Sequence, residues 1–278
     1  MHKHMRKHMH KHMRKHIEYR GIDLVYSDFG EGPCIVLLHG YLESGEIWNS
    51  FVKQFPKGFR FIVPDLPGHG KSGCWGKMHG MDDLAAAVHA ILQEEGLGKI
   101  MLAGHSMGGY VSMAFAALFP EKLLAYALVH STPFADTQEK RKIRDREISL
   151  VMCGRKRQII QLNIPKAFSM DKLKQMSREV ALAKQIALKT PDKGIIAMLN
   201  GMKERPDRSE TLKNPSLPLL LIGGMKDNYI APEIFDKLVK LAPHATVVRL
   251  EESGHMGFME EPERVSRAIM AMLQITSE

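Results

Sequence analysis

No stretch of this 278-residue chain is apolar over the roughly 18 consecutive residues that a membrane-spanning helix needs. We therefore expect no membrane association. Cysteine is also scarce, because Cys34, Cys74 and Cys153 are the only three, and they are far apart in the sequence. Their odd number, without a CxxC pair or a Cys/His ligand spacing, argues against a disulfide framework and a cysteine-based metal site. Reduced thiols in the cytoplasm are the simplest interpretation.

Acidic residues are missing from the first sixteen positions, MHKHMRKHMHKHMRKH, which repeat one octapeptide twice. This leader holds six of the 39 Lys and Arg residues and six of the 14 His residues. Without it, 33 basic side chains stand against 31 acidic ones, so the formal net charge falls from +8 to +2. A nearly neutral body does not favour a nucleic-acid partner.

The composition of the leader also bears on its structure. A repeat of Met, His, Lys and Arg has no apolar face to bury, so we expect residues 1–16 to be disordered. We interpret the leader as an engineered metal-affinity tag that takes no part in the fold. A natural His-rich metal-binding arm is the alternative interpretation.

From residue 17 onward, short apolar runs typical of strands alternate with helical patterns. This order predicts a mostly parallel sheet with helices on both faces. Residues 132–211 interrupt the alternation, because they contain helical patterns and no strand run, and we expect an inserted helical subdomain there. The expected strands are a hairpin over 17–26 and single strands over 34–39, 60–65, 99–104, 123–129, 217–223 and 245–250.

The sequence Gly104-His-Ser106-Met-Gly108 lies between an expected strand and an expected helix. A Gly-x-Ser-x-Gly turn in this context holds a serine in strained backbone with its hydroxyl exposed. The glycines are needed because side chains at Gly104 and Gly108 would collide with neighbouring elements. We therefore predict that Ser106 is a nucleophile.

A serine nucleophile needs a histidine base, and the base needs an acid to orient it. Asp227 and His255 each follow an expected strand late in the chain. We predict Asp227 as the acid and His255 as the base. Asp136 is the alternative acid, but its position suggests a helix N-cap instead.

An oxyanion hole should be formed by the backbone N–H groups of Tyr41 and Met107. Tyr41 follows Gly40 in the loop after the first buried strand, where glycine lets the backbone approach a substrate. We expect the ring of the preceding His39 to order this loop rather than to transfer protons.

Taken together, these motifs resemble those of the α/β-hydrolase superfamily over essentially all of residues 17–278. The resemblance implies an eight-stranded sheet in a core of residues 17–131 and 212–278, with residues 132–211 as a helical cap over the site. The motifs that carry it are His39-Gly40, Asp65-Leu-Pro-Gly68-His69-Gly70-Lys-Ser72, Gly104-His-Ser-Met-Gly-Gly109, Asp227 and Ser253-Gly-His255.

The resemblance implies a serine hydrolase that cleaves small carboxylic esters through an acyl-enzyme at Ser106, without cofactor or metal. Dehalogenases and epoxide hydrolases of this fold have aspartate where this chain has Ser106, so they are disfavoured. Carbon–carbon bond hydrolases and enol-lactonases remain alternatives, and a non-catalytic ligand receptor is an alternative of another class. The expected partner is a small ester or related carbonyl compound, and the sequence leaves the oligomeric state open.

Methionine is frequent in the helical insertion, and this residue type suits an adaptable apolar pocket. Ordinary core packing is the more common role for any single methionine. The five methionines in question are Met152, Met170, Met176, Met198 and Met202.

Overall fold

The computed structural model of the chain describes residues 13–275. Eight strands form a single sheet in the described part of the chain. The strands are β1 (Met13–Tyr19), β2 (Ile22–Gly30), β3 (Cys34–Leu38), β4 (Arg60–Pro64), β5 (Ile100–His105), β6 (Leu123–Val129), β7 (Leu219–Gly224) and β8 (Thr246–Leu250).

The strand order across the sheet is β1-β2-β4-β3-β5-β6-β7-β8. Strand β2 pairs antiparallel with β1 and β4, whereas every pairing from β4 through β8 is parallel. The prediction of a mostly parallel eight-stranded sheet is therefore confirmed.

Ten α-helices and four short 3₁₀ helices surround the sheet within residues 13–275. The 3₁₀ helices span Gly45–Trp48, Phe51–Gln54, Pro120–Lys122 and Met170–Lys172. The α-helices are α1 (Met81–Glu94), α2 (Met107–Leu118), α3 (Gln138–Met152), α4 (Lys156–Ala167), α5 (Ser177–Lys189), α6 (Asp192–Glu204), α7 (Ser209–Leu212), α8 (Pro232–Leu241), α9 (Gly257–Glu260) and α10 (Pro262–Ile275). None of these helices is both long and apolar enough to cross a bilayer.

The central strands form the core. Every residue of β3, β5 and β7 is buried. Continuous apolar runs are expected for parallel strands that are covered on both faces, and this explains why the sequence revealed them. The carboxyl ends of these strands meet at one edge of the sheet, and the loops that follow them carry the candidate site.

The first strand corrects the prediction for the leader. Residues 1–12 lie outside the described residues, but Met13 to His16 belong to β1 and are not disordered. They pair with residues 25–28 of β2, and the Lys15 ammonium forms ion pairs with Asp28 (2.6 Å) and Glu95 (2.9 Å). Backbone pairing at a sheet edge needs no apolar face, so the polar sequence gave no signal for it.

The helical segment, defined as residues 132–211, contains α3 to α6 and all but the last residue of α7. The structure describes all of these residues, and none of them belongs to a strand. This agrees with the run of helical patterns in the sequence. The division into a core and a cap, with these boundaries, stays a prediction.

Candidate active site

The turn after β5 holds Ser106 in an unusual conformation. Its φ is 51° and its ψ is −112°, directly before the first residue of α2. Such backbone costs a non-glycine residue about 1–3 kcal/mol, and it persists only where the surrounding structure enforces it. Strain of this kind is common at functional sites, and Ser106 lines a cavity.

Two glycines allow this turn to form. A methyl group on Gly108 would lie 2.5 Å from the carbonyl oxygen of Leu38 and 2.8 Å from that of His39. A methyl group on Gly104 would overlap the backbone of Gly108. Only hydrogen fits at both positions, so the two glycines let the start of α2 pack closely against β3 and β5.

Hydrogen bonds fix the turn to the neighbouring strand β6. The Ser106 N–H donates to the carbonyl oxygen of Val129 (2.9 Å), and the Ser131 hydroxyl donates to the carbonyl oxygen of Ser106 (2.7 Å). Because the backbone is bonded on both sides, the position of the Ser106 side chain is set by the sheet.

Asp227 and His255 come together as the sequence predicts. The His255 Nδ1 lies 2.8 Å from the Asp227 Oδ2, and the other carboxylate oxygen accepts from the amides of Tyr229 (2.7 Å) and Ile230 (3.0 Å). Burial opposes ionisation of Asp227, but His255 and His130 outweigh it and hold the pKa of the carboxyl well below its usual range. Asp227 is therefore a buried carboxylate that orients the His255 ring.

A second histidine, His130, contacts the same carboxylate, and the sequence reasoning missed it. Its Nδ1 lies 3.2 Å from the Asp227 Oδ2, and its Nε2 accepts from the Gly257 amide at 3.2 Å. Burial lowers the pKa of His130 to about 4, so the ring is neutral near pH 7. Its place directly after β6, at the same sheet edge as the other site residues, is the signal that could have found it.

His130, Asp227 and His255 also form a group of metal-ligating type, with one ligand atom from each within 4.8 Å of the others. The three side chains are buried, and the same atoms form the hydrogen bonds described above. These hydrogen bonds use the same nitrogen and oxygen atoms that a metal ion would bind.

A buried ion pair links the loop after β3 to the end of β5, directly before Ser106. The Glu43 carboxylate lies 3.1 Å from the His105 Nδ1 and accepts from the Gly40 amide at 2.5 Å. The other ring nitrogen of His105 lies 2.9 Å from the carbonyl oxygen of His255. Burial opposes both charges, but the pair raises the pKa of His105 and lowers that of Glu43. The sequence reasoning missed this pair, because it depends on a contact between distant residues.

The predicted oxyanion donors lie in the loop after β3 and at the start of α2. Tyr41 follows β3, and Met107 is the first residue of α2, where backbone N–H groups have no intrahelical acceptor. The His39 ring joins two loops, because its Nδ1 is 2.8 Å from the Gly40 carbonyl oxygen and its Nε2 accepts from the Leu66 amide (2.9 Å). This geometry agrees with an ordering role for His39.

The structure assigns the alternative acid, Asp136, to a different contact. Its carboxylate pairs with Arg144 and with the Arg205 Nη1 (2.6 Å). The N-cap of α3 is Thr137, whose hydroxyl accepts from the Lys140 amide at 3.3 Å. The N-cap prediction for Asp136 is therefore wrong by one residue, because the two arginines already engage its carboxylate.

Ser106 and His255 line one cavity of about 350 Å³. The helical segment forms the opposite wall, where apolar side chains such as Ile143, Ile164 and Phe168 stand beside polar and charged ones that the methionine content did not suggest. Of the five methionines in the insertion only Met202 lines this cavity, while Met152 and Met170 are exposed. The polar side chains of that wall are Lys140, Arg144, Glu147, Asn163 and Lys166.

A larger cavity, about 1120 Å³, lies between β2, β4 and the end of α5. None of the predicted site residues lines it. The smaller cavity is the candidate active site, because the larger one is lined by none of the predicted nucleophile, base or oxyanion donors.

Known proteins share this fold and part of this sequence. The sequence matches the family model of the alpha/beta hydrolase fold over residues 33–152. The structure of a thermophilic esterase from Thermogutta terrifontis, with malate bound, superimposes with a TM-score of 0.89 at 30% identity, covering 95% of this chain and 99% of that esterase. The enol-lactonase from Burkholderia xenovorans LB400 has a TM-score of 0.85 at 20% identity, with 94% and 100% covered, which shows the fold alone.

A relative whose name states its substrate is also an esterase. The pimeloyl-[acyl-carrier protein] methyl ester esterase of Salmonella newport (strain SL254) is 26% identical over 258 residues, which are 90% of this chain and 98% of that enzyme. The chain belongs to the α/β-hydrolase family. It is a hydrolase, and its esterase relatives support ester hydrolysis as the reaction.

Proposed function

We propose that this protein is a serine hydrolase that cleaves small carboxylic esters through an acyl-enzyme at Ser106. The observation that carries the proposal is the combination of the strained Ser106 backbone with the 2.8 Å contact between His255 and Asp227, in a chain where Ser106 and His255 line one cavity. This is the set of parts that acyl transfer requires.

In the first half of the reaction, the Ser106 oxygen attacks the ester carbonyl carbon while the His255 Nε2 takes the hydroxyl proton. The Asp227 carboxylate holds the His255 Nδ1–H and stabilises the imidazolium that forms. The N–H groups of Tyr41 and Met107 bind the negative oxygen of the tetrahedral intermediate. The carbon–oxygen bond to the alcohol then breaks, and His255 gives its proton to the leaving alcohol.

In the second half, water replaces the alcohol. The water oxygen attacks the acyl carbon while His255 takes a proton from the water. The bond between the acyl carbon and the Ser106 oxygen then breaks, and His255 gives the proton to the Ser106 oxygen. The products are a carboxylic acid and the free enzyme. In this proposal the helical segment is the cap that encloses the substrate. The proposed location is the cytoplasm, because Cys34, Cys74 and Cys153 are free thiols.

The test compares the wild type with Ser106→Ala on p-nitrophenyl butyrate. We expect kcat to fall on the order of 10³-fold or more, because only oxyanion stabilisation and binding would remain. Ser112→Ala is the matched control, since Ser112 lies on the same helix and its hydroxyl donates to the Gly108 carbonyl oxygen (2.9 Å). A Ser106→Ala enzyme that keeps its activity would contradict the proposal.

A fluorophosphonate and a substrate panel separate the alternatives. Covalent labelling of Ser106 supports a serine hydrolase, whereas an inert Ser106 in folded protein favours a ligand receptor. A panel of methyl esters, thioesters, an enol-lactone and a vinylogous diketone then compares ester cleavage with lactonase and carbon–carbon bond hydrolase activity. Methyl esters belong in the panel because the Salmonella relative acts on one.

A further inference from the structure

We infer that the cavity wall formed by the helical segment binds a carboxylate, so that the preferred substrates are small esters that carry a second, ionised acid group. This inference rests on the proposed function, because it names the substrate class of the same site. It depends on how the charges on the wall are paired, and on which donors lack a protein acceptor.

Arg144 provides the main cationic group. Its guanidinium binds the Asp136 carboxylate through Nε and Nη2, while the side chain also lines the cavity. A guanidinium has five N–H donors in a planar fork that matches carboxylates. The hydrogen bonds to Asp136 use Nε and Nη2 and not Nη1.

Asp136 does not neutralise this charge completely, because it is shared with another arginine. The Arg205 Nη1 lies 2.6 Å from the Asp136 Oδ1, so two guanidinium cations bind one carboxylate. Arg205 is buried, donates to the carbonyl oxygens of Met202 and Phe134 (2.8 Å each), and lies 4.0 Å from the centre of the Tyr110 ring. Arg144 therefore shares its anionic partner on one side, and on the cavity side Glu147 is the other carboxyl whose charge acts on it.

Two lysines add to this charge. Lys140 and Lys166 line the same cavity, and neither forms an ion pair with a carboxylate among residues 13–275. Lys166 instead lies 5.1 Å from the centre of the Tyr229 ring. Because these side chains keep no anionic partner, they raise the local concentration of anionic ligands at the cavity.

Glu147 is the carboxylate on this wall that opposes the lysines. It accepts from the Asn163 side-chain amide at 2.7 Å, and burial raises its pKa, which disfavours the charged form. The other carboxylate of the cavity, Glu43, is paired with His105. Even with Glu147 ionised, the cations of the wall outnumber its anions.

The Tyr41 hydroxyl supplies a neutral donor beside these cations. Its oxygen is buried and forms no hydrogen bond of normal geometry in the described part of the chain, and the Glu147 carboxyl is the group near enough to pair with it. Burial raises its pKa, and the nearby Glu147 and Arg144 also affect it, so the hydroxyl stays protonated. A carboxylate bound beside Glu147 would give this hydroxyl an acceptor of good geometry.

The test uses two methyl esters of the same shape, monomethyl adipate and the methyl ester of adipic acid monoamide, with methanol release as the readout. We expect the wild type to hydrolyse the acid with a kcat/KM at least about 10-fold higher than the amide, since charge-assisted hydrogen bonds are the stronger ones. Equal kcat/KM values for the two esters would overturn the inference.

Arg144→Gln tests the residue itself. We expect it to lower kcat/KM for the acid about 10-fold or more and for the amide less than about 3-fold, because Asp136 keeps Arg205 as a partner. Arg141→Gln is the control: Arg141 lies on the same helix, pairs with Glu204 at 2.8 Å and does not line the cavity, so the preference should stay. An equal loss for both esters would refute a carboxylate-binding role.

Inhibition of the wild type gives a second readout that needs no variant. Adipate should compete with substrate at a concentration at least about 10-fold lower than adipamide does. Equal inhibition would count against the subsite. Failure of the proposed function looks different, because neither ester would then be hydrolysed and a fluorophosphonate would leave Ser106 unlabelled.

Discussion

The strained backbone of Ser106 predicts that an inactive variant is more stable with glycine than with alanine at this position. Ser106→Ala keeps a Cβ atom at φ 51° and ψ −112°, whereas Ser106→Gly removes it. The strain that glycine relieves is about 1–3 kcal/mol. Glycine also gains more freedom in the unfolded chain, which costs about 0.5–1 kcal/mol. With the middle of each range, Ser106→Gly should exceed Ser106→Ala in free energy of unfolding by about 1 kcal/mol.

The assay is urea unfolding of both variants, followed by thermal unfolding. For a chain of this size each kcal/mol corresponds to about 2–4 °C in Tm, so the glycine variant should melt about 2–4 °C higher. Ser112 gives the control pair, because it lies in regular helix in α2, where glycine should be less stable than alanine by about 1 kcal/mol. A Ser106→Gly variant that is no more stable than Ser106→Ala would refute the reasoning.

Two further predictions concern buried charge. Burial lowers the pKa of His130 from 6.5 to about 4. Between these pH values the unfolded chain binds a proton at this residue and the folded chain does not. The protein should therefore lose stability as the pH falls from about 6.5 to 4. His130→Phe removes this titrating group. The free energy of unfolding of the variant, measured in urea across that pH range, should therefore fall less steeply with acid than that of the wild type. Parallel curves of free energy against pH for the two proteins would contradict the assignment. Glu43→Gln leaves His105 without its buried carboxylate and should cost about 3–5 kcal/mol of stability in the same assay, and a loss below about 1 kcal/mol would mean that the pair is not buried as described.

The parts of the fold that the sequence predicted well are those with a strong local signal. The apolar runs that became β3, β5 and β7 are buried on both faces, so every residue contributes to the pattern. The turn around Ser106 was also predictable, because only glycine fits at positions 104 and 108. Asp227 and His255 could be named because they follow strands whose carboxyl ends share one edge of the sheet.

The features that the sequence did not predict depend on contacts between distant residues. His130 approaches Asp227 across 97 positions, and Glu43 approaches His105 across 62. No periodicity or spacing within either segment marks such a pair. Strand β1 was missed over residues 13–16 for a related reason, since its partners are the backbone of β2 and the carboxylates of Asp28 and Glu95.

The polar side chains of the cavity wall have the same origin. Arg144 and Glu147 lie one turn apart on α3 and Lys166 lies on α4, and in the sequence all three resemble ordinary solvated helix residues. Only the packing of α3 and α4 brings them to one cavity with Ser106. The methionine content, by contrast, was a property of the sequence that the folded cavity uses little.

The most direct test of the central claim is to trap the acyl-enzyme. Wild-type protein is mixed with p-nitrophenyl butyrate, quenched in acid during turnover, digested and analysed by mass spectrometry. The account predicts one butyryl group on the peptide that contains Ser106, formed with a burst of p-nitrophenol. Turnover with no acylated Ser106, or with the acyl group on another residue, would contradict it.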